Sequence, residues 1–93
     1  MVTKIENDVL LSNPCVLKFS ATWCVPCKNI ASKYEELSNT SKVPFYEVDV
    51  EDNPDLTEQF HVRSVPTFIY ITNDGTTLKP QGFDELKQIL AKH

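Results

Sequence analysis

Glycine is nearly missing from this 93-residue chain, which has two glycines against six prolines. That balance excludes flexible linkers and points to tight connections. Long apolar runs are missing as well: none approaches the ~20 residues needed to span a bilayer, so no membrane association is expected. Met1 to Asp8 lacks the basic and apolar regions of a secretory signal, and Ala91-Lys92-His93 matches no lipidation or retention signal; a cytoplasmic location is therefore expected. Nine Lys and Arg against 13 Asp and Glu give a net charge of −4. The clustered cations that phosphate binding needs are absent, which excludes a nucleic-acid partner. No repeat, low-complexity tract or charge block divides residues 1–93, so a single small domain with one core is expected.

Trp23-Cys24-Val25-Pro26-Cys27-Lys28 is the feature that remains to be explained. The preceding run, Val16-Leu17-Lys18-Phe19-Ser20, is apolar and aromatic-rich, as a buried strand should be. The following run sets Ile30, Ala31, Tyr34 and Leu37 on a single helical face. Cys24 thus falls at or just before the first helical turn, where unpaired backbone N–H groups and the positive end of the dipole favour thiolate over thiol. Helix N-termini and Cys-x-x-Cys placements bring a cysteine from its usual ~8.5 down to about 7 or below. Such a thiolate attacks disulfides at neutral pH, with a second cysteine placed to close on it.

The remaining elements alternate. Val2 to Ile5 reads as a short edge strand, Asp8 to Ser12 as a brief helix or turn, Cys15 to Ser20 as a buried strand, and Pro26 to about Asn39 as a long helix with Pro26 in its opening turn. Val43 to Val50 is a second apolar strand. Asn53 is expected to cap a helix running from Pro54 to about Phe60. Pro66 to Thr72 is a third strand, and Asn73-Asp74-Gly75 a hairpin signal leading into Thr76-Thr77-Leu78. Gly82 precedes a closing helix with Phe83, Leu86, Ile89 and Leu90 on its inner face. This order implies an α/β fold, a mixed sheet with helices on both faces.

Phe19 to Lys28, Phe45-Tyr46-Glu47-Val48-Asp49-Val50, Val65-Pro66-Thr67-Phe68 and Gly82 together make the chain similar to the thioredoxin family over nearly its whole length. The resemblance implies a thioredoxin-like fold, a cis Pro66 facing the cysteines, and a protein disulfide reductase. Its substrates would be disulfide-containing proteins and its electron donor a reductase of the thioredoxin-reductase type. It would act as a monomer, with no cofactor beyond the Cys24–Cys27 dithiol or disulfide. Cys24, the more exposed thiol, would attack, and Cys27, more buried, would resolve the mixed disulfide. Trp23, Val25, Pro26, Val65, Pro66, Thr67 and Gly82-Phe83 would form a shallow rim for the substrate, with the backbone beside Pro66 open to strand addition. Lys28 and Arg63 would either add positive potential near the thiolate or be solvated surface charges.

Four features depart from the family pattern. Lys18 stands where thioredoxins carry a buried aspartate behind the resolving cysteine, and Glu47 where bacterial members place its lysine partner. A charge-swapped pair is expected, with Glu47 assisting proton transfer at Cys27, because a lone buried lysine would be costly; the competing reading has Lys18 snorkelling to solvent and Glu47 exposed. Val25 replaces a glycine between the cysteines, which leaves the redox poise open between a reductant and a more oxidising oxidase or isomerase. Ser32 replaces a helix-kinking proline, so a straighter helix is expected. The segment before Cys24 is short, so the first helix is expected to be trimmed.

Other candidates are set aside. Cys15 reads as a small core hydrophobe. Cys15, His61 and His93 form no second ligand pair, so no metal site is expected. His61 reads as a helix C-terminal cap. Asp49, Glu51, Asp52 and Asp55 read as a solvated loop and helix N-terminus, and without a turn glycine they do not make a calcium loop. A pure binding module built on the same fold is the rival to the enzyme, and an intact Trp-Cys-x-Pro-Cys with Val65-Pro66-Thr67 argues against it.

Overall fold

The computed structural model describes residues 1–5 and 13–92. Five strands form one sheet in the order β1-β3-β2-β4-β5: β1 Val2–Lys4, β2 Cys15–Ser20, β3 Phe45–Asp49, β4 Thr67–Ile71 and β5 Thr77–Leu78. Among the described residues three helices accompany them: α1 Val25–Thr40 between β2 and β3, α2 Pro54–Gln59 between β3 and β4, and α3 Phe83–Lys92 after β5. Strands β1, β3 and β2 pair in parallel, while β4 and β5 run antiparallel to their neighbours. The mixed sheet expected from the alternation of elements is present. The helix or turn expected over Asp8 to Ser12, and with it the trimmed first helix, lies outside the described residues.

Strand β2 sits at the centre of the sheet, and all six of its residues are buried. Its two-residue period divides them between two cores. Cys15, Leu17 and Phe19 face Val48, Phe60, Ile69 and Ile71, with Leu56 of α2 packed against them. Val16 faces Tyr34 of α1, Phe45, Phe68, Tyr70 and Leu86 of α3. Helices α1 and α3 therefore cover one face and α2 the other. Phe83, Ile89 and Leu90 join Leu86 on the inner side of α3, as their spacing indicates.

Three local details differ from the sequence reading. Asn53 precedes α2 without a side-chain cap bond; its Nδ2 donates instead to the carbonyl of Asp49 at 3.0 Å. Asp49 is itself buried rather than solvated, and its Oδ1 accepts from the backbone N–H of Glu51 at 2.8 Å and of Asp52 at 3.3 Å. Val43 and Pro44 stay outside β3, although the Pro44 carbonyl still accepts from Val16 N–H at 2.9 Å. His61 does terminate α2 as expected: it takes a left-handed φ of 54°. His61 N–H bonds to Glu58 O and Val62 N–H to Thr57 O, both at 3.0 Å, which is the Schellman pattern. The hairpin turns on Gly75 at φ 87°, a backbone region that suits glycine, while the Thr72 hydroxyl donates to the Asp74 carboxylate.

Candidate active site

The end of β2 delivers the chain to the start of α1, and that junction carries both reactive sulfurs. Ala21 O accepts from Cys24 N–H at 3.1 Å, closing a turn, and Cys24 O accepts the first helical bond from Lys28 at 3.2 Å. Cys24 is thereby the N-cap residue of α1, with extended backbone angles of −84° and 104°. Pro26 in the first turn has no N–H to offer, and the side-chain cap bond comes from Cys27: its N–H donates to Cys24 Sγ at 3.1 Å. A cap acceptor at this position takes up one of the helix's orphan donors, and the dipole favours negative charge there. Cys24 is the sulfur that the helix would hold as thiolate.

Cys24 and Cys27 are joined in a disulfide with their Cα atoms 5.3 Å apart. The expected difference in exposure is not found, since each is 3% exposed in this bonded state. What separates them is hydrogen bonding and place on the helix. Ala21, Val50 and Val65 pack around the pair. Val50 was not anticipated as part of the site, although it ends the apolar run that became β3.

The apolar rim is partly as expected. Trp23 and Val25 are 65% and 61% exposed, large hydrophobic side chains left facing solvent beside a reactive group, and Pro26 is exposed with them. Val65 is partly buried against the cysteines, and the Val65–Pro66 bond is cis. Thr67 opens β4 and donates its hydroxyl to Ser64 O at 2.6 Å. Gly82 immediately precedes α3, with open space where a Cβ would stand. Phe83 does not join the rim: its ring stacks obliquely on Phe68, centroids 6.0 Å apart, in the core beneath α1 and α3. A second cis bond, Asn13–Pro14, had no signal in the sequence.

Beneath Cys27, the charge-swapped pair is present. Lys18 and Glu47 are direct partners in the parallel register of β2 and β3, and Lys18 Nζ lies 3.2 Å from Glu47 Oε2. The snorkelling alternative fails because the Lys18 side chain is only 2% exposed; the Glu47 side chain is 37% exposed. The lysine also lies over the Tyr34 ring, 5.1 Å from its centroid, so an aromatic face and a carboxylate share the cation. Burial, followed by the Glu47 charge, holds the Tyr34 hydroxyl neutral well past the usual tyrosine range, and it donates to Tyr46 O at 2.8 Å. A cleft of about 210 Å³ is lined by both Cys27 and this pair, along with Ser20, Lys28 and Asp49.

Comparisons with known proteins agree with this geometry. The Thioredoxin family model matches residues 2–92. Thioredoxin-1 of Caenorhabditis elegans is 42% identical over 81 residues, which cover 84% of this chain and 70% of that protein. Thioredoxin 1 of Plasmodium falciparum (isolate 3D7) is 40% identical over 98 aligned residues, spanning 100% of this chain and 94% of its own. The crystal structure of spinach chloroplast thioredoxin f, short form, superposes with a TM-score of 0.84 at 27% identity, over 98% of this chain and 91% of that one. In this chain a helix-capping cysteine is bonded to the cysteine one turn on, beside a cis proline in a mixed sheet; with a family model over residues 2–92 and relatives 42% and 40% identical, it belongs to the thioredoxin family of thiol–disulfide oxidoreductases that reduce protein disulfides.

Proposed function

We propose that Cys24 is the attacking thiol of this reductase and Cys27 the resolving one. The observation that carries the assignment is the bond from Cys27 N–H to Cys24 Sγ at the N-cap of α1. In the dithiol form Cys24 attacks one sulfur of a substrate disulfide, forming a Cys24–substrate bond and releasing the other substrate sulfur as a thiolate. Cys27 then loses its proton and attacks Cys24 Sγ. The Cys24–Cys27 bond forms, the Cys24–substrate bond breaks, and the second substrate sulfur leaves as a thiolate that is protonated. Two electrons pass from the cysteine pair to the substrate, and a partner reductase restores them.

Glu47 is the group we assign to take the Cys27 proton, through water in the shared cleft, with Lys18 positioning its carboxylate. Asp49 lines the same cleft, but one of its oxygens already accepts two backbone N–H bonds that hold the turn after β3. Trp23, Val25, Pro26, Val65, Pro66, Thr67 and Gly82 form the surface met by the substrate. The protein works as a monomer in a reducing compartment, the cytoplasm, where a dithiol reductant can be kept reduced.

Reduction of insulin by dithiothreitol, followed by turbidity, tests the assignment. The wild-type chain accelerates it, Cys24→Ser abolishes the acceleration, and Cys27→Ser accumulates a mixed disulfide through Cys24. A folded wild-type protein with no acceleration would exclude the reading and favour a binding module.

A further inference from the structure

Residues 61–64 and Pro66, with Thr67 and Phe68 at the start of β4, and residues 79–81, far apart in sequence, close a groove of about 540 Å³ along one side of Pro66. Among the described residues, Arg63 and Lys79 line it with His61, and no Asp or Glu does. In a chain of net charge −4 this is a local reversal of sign. The other clefts near the helices differ: the one beneath Cys27 mixes Lys4, Lys18 and Lys28 with Glu47 and Asp49, and the one between α1 and α3 mixes Lys33 and Lys87 with Glu36 and Asp84. Pro66 forms part of the groove wall, and its neighbour Val65 packs against the disulfide. A segment held at Cys24 and running along Pro66 therefore lays its next few side chains between two exposed cations. Thr67 Oγ1 is already donated to Ser64 O, so the charged groups rather than this hydroxyl decide what fits.

We propose that this groove selects substrates carrying Asp or Glu within a few residues of the attacked cysteine. The inference rests on the reductase reading above and adds the substrate class to it. Long-range attraction of this kind acts mainly on encounter and is screened by salt.

Three disulfide-bonded peptides of equal length, with Asp, Gln or Lys flanking the cysteine, test it through kcat/KM at low salt. The Asp peptide is expected to be reduced about three- to tenfold faster than the Lys peptide, and the ratio to fall towards one in 1 M salt, where the screening length is about 3 Å. In the folded double variant Arg63→Gln, Lys79→Gln the ratio collapses to within twofold, whereas Lys28→Gln, across the disulfide, retains it. A wild-type ratio near one, a ratio retained in the double variant, or one lost equally in Lys28→Gln would overturn the groove. No turnover of any peptide would overturn the reductase reading and this inference together.

Discussion

The thiol of Cys15 is fully buried at the start of β2, and burial pushes its pKa from an ordinary 9.0 up to about 11. Cys24, by contrast, accepts a helix N–H bond. Burial disfavours a thiolate at Cys15, whereas a helix N-cap that donates to the sulfur would favour one at Cys24 once the disulfide is reduced. The folded pKa of Cys15 lies above the unfolded one, so its contribution to stability is complete below about pH 9 and is lost as pH rises to about 11. That loss amounts to roughly 2–3 kcal/mol. Urea unfolding of wild type and Cys15→Ala across pH 8–11 should show the alkaline decline shrinking in the variant. At neutral pH, Cys15 in the folded, oxidised protein should resist thiol reagents. Glu47 carries a kinetic prediction. Glu47→Gln should slow resolution of the mixed disulfide at least about tenfold at pH 7, and should make that step first order in hydroxide, since general-base assistance typically contributes 10² or more. Stopped-flow Trp23 fluorescence after single mixing reads the step, and an unchanged rate would remove Glu47 from the mechanism. The cysteines were legible because their chemistry sits in a contiguous pattern, and Pro66 because Val65-Pro66-Thr67 resembles the family's motif. Lys18 was legible only as one of two readings, because its burial depends on Tyr34 and Glu47, which the fold brings to it.

Element by element, strand β2 and helices α1 and α3 match their expected spans because apolar periodicity and caps lie within the segments themselves. Helix α2 shows where local signals stop. Pro54 takes the first turn as expected, yet the Asn53 amide turns to Asp49 O. Asp49 reads as surface in a run of acids, but the fold spends it on the turn after β3. The far end of α2 closes on His61 at a φ of 54°, a conformation that costs an L side chain about 1–2 kcal/mol. His61→Gly should therefore raise stability by about 0.5–1 kcal/mol, visible as a higher urea midpoint with unchanged slope; a lower midpoint would mean the imidazole makes contacts worth more than the strain. Of the cationic groove only Arg63 was legible, as one of two readings, because Lys79 reaches it from a loop far away in sequence.

At the scale of the whole molecule, one central strand serves two cores and ends at the catalytic junction. Stability of the sheet and placement of Cys24 are thereby tied together. Leu86 is the fully buried anchor of α3 on that sheet. Leu86→Ala should cost about 2–4 kcal/mol, a large share of the ~5–15 kcal/mol typical of a domain, and thermal unfolding would register it. Val25 between the cysteines and the Lys18–Glu47 pair in the cleft with Cys27 border the same junction. The reduction potential of the Cys24–Cys27 pair, followed by Trp23 fluorescence in graded dithiol buffers, tests the reductant assignment most directly. A value near about −270 mV is predicted for a protein that donates electrons to disulfides, and a value between roughly −180 and −120 mV would contradict it and mark an oxidase or isomerase.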